Sequence, residues 1–372
     1  MTSLFVFGTL RDPELLALVL GRSVKTDRAH LQDHAVFRVQ GAEFPICVPS
    51  PGKRAEGLLI RGLDADTFSR LDFYECGFGY TRAEHGISVA GATVRAQVYV
   101  PLGPALRSSG EGWSLAVWQR DHGALTREVA REAMALAGAI PPEDVPARWP
   151  VWAARAQTRL NARHRPATRR EGLPDLSKLE VERVDVPVDA FFRVEDHHIR
   201  FPNFAGGVSK TVSRVAFVSV DAVTVLPYDP VRDRVLLVDQ FRTGAYARGD
   251  TQPWMLEPVA GRVDGGETWE QTAHREAQEE AGVLLTALEF IGRYYPSPGA
   301  LTEYLISYVG LCDLPDGQAG LFGVASEAED IRTYLVSFDT LMEMCADGRV
   351  QTGPLLLSAY WLAANRPRLR QG

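Results

Sequence analysis

Gly261-Arg-Val-Asp-Gly-Gly-Glu267, continuing as Thr268-Trp-Glu-Gln-Thr-Ala-His-Arg275-Glu276-Ala-Gln-Glu279-Glu280-Ala-Gly282-Val283, decides how the second half of this 372-residue chain is read. From Trp269 onward, apolar and small residues alternate with charges at helical spacing, and Gly282 is a natural C-terminal stop. Glu276, Glu279 and Glu280 then stand at i, i+3 and i+4, which puts three carboxylates on one helix face. Like charges at that spacing repel, so a purely structural helix gains nothing from them. A divalent cation reverses the sign. Hard oxygen ligands crowded on a rigid element suit Mg²⁺ or Mn²⁺, and Mg²⁺ commonly bridges to substrate phosphates. A solvated acidic face is the plainer reading, but it leaves the glycine-rich lead-in, Glu267 and Arg275 unexplained.

The whole stretch resembles the Nudix box, Gly-x5-Glu-x7-Arg-Glu-U-x-Glu-Glu-x-Gly-U, where U is a bulky aliphatic residue. Gly261, Glu267, Arg275, Glu276, Glu279, Glu280 and Gly282 supply every fixed letter. Val283 fits the second U, and Ala277 is a smaller hydrophobe at the first. Further out, Asp239-Gln-Phe-Arg242, Leu256-Glu257-Pro-Val-Ala260-Gly261 and Ser297-Pro298-Gly299 resemble the bacterial ADP-ribose pyrophosphatases. Pro298 stands about 15 residues beyond the box, as that subgroup's marker proline does. Glu327-Ala-Glu329-Asp330-Ile331 resembles the family's late acidic loop.

This resemblance, over roughly 185–365, implies hydrolysis of the diphosphate of ADP-ribose to AMP and ribose 5-phosphate. It implies Mg²⁺, or Mn²⁺ in its place, held by the Ala260 carbonyl with Glu276, Glu279, Glu280 and Glu329. Glu279, Glu280, Glu327 and Glu329 become the catalytic carboxylates, and Arg242 and Glu257 the substrate-side pair, with Glu303 a weaker acid there. Arg275 and Glu267 brace the box. Phe201 and Phe204 are the aromatics offered for stacking on adenine. The family also implies a homodimer, with strands of 181–220 lending residues to the neighbouring site.

Composition bounds these readings. The length suits two or three domains, and 45% hydrophobic with 23% charged residues lets each half bury a core. A net charge of −7 argues against a nucleic-acid partner. Cys47, Cys76, Cys312 and Cys345 show no CxxC spacing, so neither a zinc site nor a disulfide framework is indicated and a cytoplasmic setting fits. Met1-Thr-Ser-Leu-Phe lacks a basic leader, and no run approaches the roughly 18 apolar residues of a membrane helix. The expected partner is a small molecule, not a membrane.

In residues 1–150, Leu4–Phe7 reads as a buried strand running into Gly8-Thr9-Leu10, then a helix from about Asp12 to Leu20 with Asp12 as N-cap and Pro13 behind it. Strands are expected at Ala35–Val39, Glu43–Val48, Ala55–Ile60 and Val94–Val100, and a helix at Asp64–Tyr74. The mixture predicts a small α+β barrel. A strand, a Gly turn and a helix start offer free backbone N–H groups to an anion. With Leu71-Asp72-Phe73-Tyr74-Glu75 and Tyr80-Thr-Arg82, this half resembles the gamma-glutamylcyclotransferases. That resemblance implies an anion pocket lined by Gly8, Thr9 and Leu10, with Glu75 as acid/base. Phe7 departs from the pattern, standing where the family usually has Tyr, so the half is either a cyclotransferase or a degenerate binding domain.

Helical spacing runs through Trp113–Ala137, and Trp149-Pro150-Val151-Trp152 is expected to close the first domain. Residues 151–180 then read as an arginine-rich, solvated helix and linker around Arg155, Arg159, Arg163, Arg165, Arg169 and Arg170. Residues 181–372 form the Nudix half. Strands are expected at Val181–Val186, Ala190–Val194 and His198–Phe201 as a subdomain, then at Val223–Leu226, Arg234–Gln240, Met255–Val259, Leu288–Tyr294, Tyr304–Cys312 and Arg332–Ser337. Two helices between Phe338 and Asn365 complete an α/β/α sandwich. A cyclotransferase-like half in front of a Nudix half resembles the bacterial tellurite-resistance type. Two other functions compete: hydrolysis of a different nucleoside-diphosphate sugar, and a sensor that binds ADP-ribose without cutting it.

Overall fold

The computed structural model describes residues 2–165, 172–324 and 329–371, which divide into two compact units, Met1–Arg163 and His164–Gly372. The first unit contains β1 (Thr2–Val6), α1 (Pro13–Leu20), β2 (Thr26–Val39), β3 (Pro45–Leu63), α2 (Ala65–Glu75), β4 (Tyr80–Val89), β5 (Ala92–Pro101) and β6 (Ser108–Gly112). It ends with α3 (Leu115–Trp118), α4 (Ala124–Met134) and α5 (Val145–His164). Strands follow the order β3-β1-β5-β4-β2, and β2 pairs again with β3, so five strands close a barrel while β6 hangs from β2. Closure removes the sheet edges and fixes alternation. Phe5, Phe7, Leu31, Leu59, Ile87 and Val98 pack together, while Leu4, Val6, Ile60 and Tyr99 pack against the helices.

Asp12 caps α1 by accepting the Leu15 amide at 2.8 Å, and Asp64 caps α2 by accepting the Thr67 amide at 2.9 Å. The spacing through Trp113–Ala137 becomes α3 and α4, joined by a π-helical stretch at Gln119–Gly123. β4 was not expected, because polar residues and Gly86 dilute its apolar set; it is held by ten residue pairs with β5.

The boundary expected at 150 falls inside α5, which continues through Pro150 to His164. Trp152, Ala153 and Ala156 of α5 belong to the first unit's core. Arg155 is 3% exposed and pairs with Glu132, while Arg159 and Arg163 reach Glu132 and Glu128 of α4 at 3.0 and 2.5 Å. Arg155 is therefore not part of a solvated face, while Arg159 and Arg163 stay open to solvent on one side and pair with the acids of α4 on the other. Arg169 and Arg170 lie outside the described residues.

The second unit begins with β7 (Glu180–Asp189), β8 (Arg193–Arg200) and β9 (Val212–Val218), an antiparallel sheet of their own. The main sheet takes β10 (Ala222–Asp229), β11 (Arg234–Phe241), then after α6 (Thr243–Arg248) β12 (Trp254–Glu257) and β13 (Val259–Arg262). After α7 (Trp269–Ala281) come β14 (Ala287–Tyr294), β15 (Leu305–Leu311), β16 (Leu321–Phe322), β17 (Ile331–Ser337), α8 (Phe338–Ala346) and α9 (Gly353–Leu369). The order is β14-β15-β10-β11-β17-β16, with β12 on β11 and β13 on β10.

One face packs on α7, through Val223, Val225, Leu236 and Val238 against Ala273 and Ala281. The other packs on α8 and α9, through Leu226, Tyr228, Val235 and Leu237 against Leu341, Leu355 and Ala359. The result is the α/β/α sandwich. β10 and β11 pair only at the hairpin end, Tyr228↔Val235 and Asp229↔Arg234. Beyond it they part, β13 taking Ala222–Val225 and β12 taking Val238–Phe241. That fork carries Ala260 and Gly261 beneath α7. Among the described residues no helix is long and apolar enough to cross a membrane.

Candidate active site

α7 starts from a capping box, Thr268 and Gln271 bonding each other's backbone, and stops at Gly282 with φ 61°. It presents its three glutamates unequally. Glu280 is 1% exposed and its Oε2 accepts the Ala260 amide at 3.0 Å. Burial pushes its carboxyl up to about 8; the Ala260 amide holds it back, while the charges of Glu276 and Glu329 add to the rise. Burial likewise raises Glu276 to about 7, against the pull of Arg275. Glu279 is turned outward, its side chain 40% exposed and bonded to Arg275 Nη1 at 3.1 Å.

Arg275 braces the box as expected of it. Its Nε and Nη2 reach Glu267 at 3.0 Å, Nη1 reaches Glu276 at 2.7 Å, and Nη2 donates to the Arg262 carbonyl at 3.1 Å. The fixed glycine has an equally direct cause. A Cβ on Gly261 would stand 1.7 Å from Glu276 Oε1, so the carboxylate occupies the space of the missing side chain.

These residues fit a divalent cation on two counts. All donors are hard oxygens, and the Gly261 cradle holds a buried carboxylate beside two other acids whose mutual repulsion, relieved in part by Arg275 and the Ala260 amide, a divalent cation would relieve further. The three glutamates of α7 do not yet converge. Among the described residues, ligand atoms within 4.8 Å of one another occur at Asp185, Asp196 and His198. There, Arg183 already fills the gap, with Nε at 2.8 Å from Asp185 and Nη2 at 2.9 Å from His198. Glu329 has Oε2 accepting the Val324 amide at 3.2 Å, and its charge is felt at Glu276 and Glu280. Glu327 lies outside the described residues.

Arg242 and Glu257, expected to face substrate separately, are bonded to each other, Nε to Oε2 at 2.7 Å. Arg242 also acts on Glu280 and Glu303, which sets it beside the acidic cluster. Burial raises the Glu303 carboxyl, opposed by the Ser219 bond and by Arg242 and Arg262. Phe201 and Phe204 are 38% and 83% exposed, and neither is the aromatic drawn to the box. Phe191 is: the Arg262 guanidinium lies 4.2 Å from its ring centroid, and Phe192 packs against it at 4.9 Å. The adjacent pair Phe191-Phe192 at a hairpin tip was the available signal.

In the first unit, Gly8 begins a short 3-10 turn, Thr9–Arg11. Leu10 is 3% exposed and packs into the core beside the helices, so its side chain does not line an open pocket. A Cβ on Gly8 would meet Pro45 Cγ at 2.6 Å, and Pro45 accepts the Tyr80 hydroxyl at 2.8 Å. Tyr80 in turn feels the charge of Glu75, so the turn and the acid gather around Pro45. Burial raises Glu75 to about 7, the range a proton-transfer group needs. Phe7 is buried and faces the barrel interior.

A gamma-glutamyl cyclotransferase, AIG2-like, family model matches residues 4–118, and a NUDIX domain model matches residues 218–355. An ADP-ribose pyrophosphatase of Escherichia coli K12 is 35% identical over 180 residues, 48% of this chain and 85% of that protein. One from Haemophilus influenzae is 33% identical over 185 residues, 49% and 85% respectively. A GDP-mannose pyrophosphatase of Enterobacter sp. is 29% identical over 142 residues, 38% and 73%.

Proposed function

Because the chain belongs, through its second half, to the Nudix hydrolases of ADP-ribose pyrophosphatase type, we propose that it hydrolyses ADP-ribose to AMP and ribose 5-phosphate. The observation that carries this is the fork of β10 and β11, where Ala260, Gly261, Glu276 and Glu280 meet beside Arg242. Glu276, Glu279, Glu280, Glu329 and the Ala260 carbonyl would hold Mg²⁺, or Mn²⁺ in its place, which neutralises diphosphate charge and lowers the pKa of bound water. Arg242, released from Glu257, pairs with the diphosphate or the terminal ribose, and Glu257 is left to accept from a ribose hydroxyl. Glu280 is fixed by the Ala260 amide and cannot drift with solvent. Glu279, free on one side, together with Glu327 and Glu329, orients the attacking water in line with the scissile bond.

The GDP-mannose pyrophosphatase relatives support a second reading, another nucleoside-diphosphate sugar as substrate, less well than the more similar ADP-ribose pyrophosphatases support the first. Turnover of ADP-ribose against a sugar-nucleotide panel, for wild type and Glu280→Gln, separates them. ADP-ribose preference lost on substitution supports the proposal; preference for a sugar nucleotide discards the substrate; no turnover of any moves the weight to a non-hydrolytic sensor.

The exposed apolar residues of β7, Val181, Val184, Val186 and Val188, support a homodimer through this half. Free thiols at all four cysteines agree with a cytoplasmic setting. For the first half we propose a small-molecule site at Gly8, Thr9, Leu10 and Glu75, of the cyclotransferase kind, with binding retained should Phe7 have removed catalysis.

A further inference from the structure

The loop from β14 to β15 carries Glu303, which feels the charges of Arg242 and Arg262. The strand ladder ends at the pair Tyr294↔Leu305, so Tyr295 and Tyr304 are the first and last residues of that loop. Beyond the ladder its two stems meet through their rings, with centroids 4.8 Å apart. The Arg165 guanidinium, within the same compact unit, lies 4.8 Å from the Tyr304 ring centroid and 5.7 Å from that of Tyr295. It is therefore within cation–π reach of both stems at once. Arg165 is half-buried and has no acid partner among the described residues, so these rings are what holds it.

The two stems are anchored unequally. From Ala300 onward the loop is tied to the sheets: the Ala300 carbonyl accepts the Phe217 amide at 2.7 Å, and the Thr302 amide donates to the Phe217 carbonyl at 3.1 Å. The Thr302 hydroxyl donates to the Ser219 carbonyl at 2.7 Å, and the Tyr304 carbonyl accepts the Ala222 amide at 3.0 Å. Residues 295–299 have no such ties among the described residues. Their hydrogen bonds stay inside the loop, where the Ser297 carbonyl accepts the amides of Ala300 and Leu301 at 3.1 and 2.9 Å. This arm is joined to the rest of the unit through the Tyr295 ring, 43% exposed, against Tyr304 and Arg165. A guanidinium attracted to both rings favours the closed root over a parted one. Glu303 adjoins Tyr304 in the chain, so the position of that ring sets the backbone from which Glu303 reaches toward Arg242.

Resting on the hydrolase reading, we propose that Arg165 is a positioning residue for the reaction: held on Tyr295 and Tyr304, it closes the root of loop 295–304 and keeps Glu303 in register with Arg242 on the substrate side. Arg165 lies outside the Nudix box and outside the residues 218–355 that the family model matches, so the catalytic motif does not call for it.

Two readouts on the full chain test this. Hydrogen exchange reads the clamp without any turnover: in Arg165→Ala the amides of Ala300 and Leu301, which are bonded to Ser297, should exchange about tenfold faster, with β15 unchanged. Kinetics read its consequence: KM for ADP-ribose should rise about tenfold while kcat stays within about twofold, because Glu303 and Arg242 bind substrate and do not react. Arg165→Lys, which keeps a cation over the rings, should recover most of both effects, and Arg165→Gln should not. Tyr295→Ala should add little to Arg165→Ala, since both open the same root. Unchanged loop exchange overturns the proposal. So does faster exchange with a wild-type KM, which leaves Arg165 a merely structural contact, or an Arg165→Gln chain that behaves as wild type. A wild-type chain that turns over no ADP-ribose would sink the hydrolase reading and this role with it, whereas turnover indifferent to Arg165→Ala sinks this role alone.

Discussion

Replacing Gly261 by alanine tests the catalytic reading with a single methyl group. The added Cβ would lie 1.7 Å from Glu276 Oε1 and 1.8 Å from its Cδ, so the carboxylate must withdraw by roughly 2 Å to reach ordinary contact. Glu276 cannot simply swing into solvent, since its side chain is only 13% exposed and is tied to Arg275. Gly261 is not in the left-handed region of backbone space, so alanine brings no backbone strain. The whole cost therefore falls on the position of one carboxylate. A displacement of about 1 Å in a positioned group costs about 100-fold in rate, or about 2.7 kcal/mol of barrier. The kcat/KM for ADP-ribose, followed by phosphate released from AMP, should fall at least that far while the melting temperature moves by only a few degrees. Combined with Glu276→Gln, the alanine should add almost nothing, because both changes act on the same carboxylate. A Gly261→Ala enzyme within threefold of wild type, still melting normally, would refute the argument that Glu276 needs this seat.

Other expectations rest on different parts of the molecule. Glu75 has its folded pKa raised to about 7 from 4.5, so the folded state holds its proton more tightly than the unfolded one. Stability attributable to it is complete below about 4.5 and is lost as pH rises to about 7; thermal melts should therefore show Glu75→Gln gaining on wild type over that window and running parallel above it. A constant difference across the window would place Glu75 in a wetter setting. Arg155→Ala leaves the buried Glu132 paired, among the described residues, with Arg159, and urea melts should show a loss of about 3 kcal/mol in the first unit; a loss under about 1 kcal/mol would make the pair equivalent to an exposed one. Wild type should sediment as a dimer at micromolar concentration, and Val186→Asp with Val188→Asp should shift it to monomer, whereas a wild-type monomer would sink the dimer.

The acidic cluster was legible without a fold because everything it needs is local. A helix repeat puts Glu276, Glu279 and Glu280 on one face, and the capping pattern at Thr268 and the stop at Gly282 bound the helix within residues of its expected ends. The barrel and the sandwich were readable as classes for the same reason: apolar strands such as Leu4–Val6 and Ala222–Asp229 carry their own burial. β4 and β9 were not readable, since their strand state comes from long pairing with neighbours rather than from an apolar run.

Sequence by itself thus determined which side chains are brought to one helix face and that the helix stops at Gly282. Tertiary structure alone decided what those side chains meet. It seated Glu276 in the space above Gly261 and tied Glu280 to Ala260, twenty residues away along the chain. It bonded Arg242 to Glu257 and brought Phe191, not Phe201 or Phe204, to Arg262. It also packed the arginine-rich helix, expected to be solvated, against Glu128 and Glu132 of α4. The physical reason is range. Helical periodicity and capping act over four residues, whereas burial, charge pairing and pKa depend on neighbours that only the folding of distant strands brings into contact.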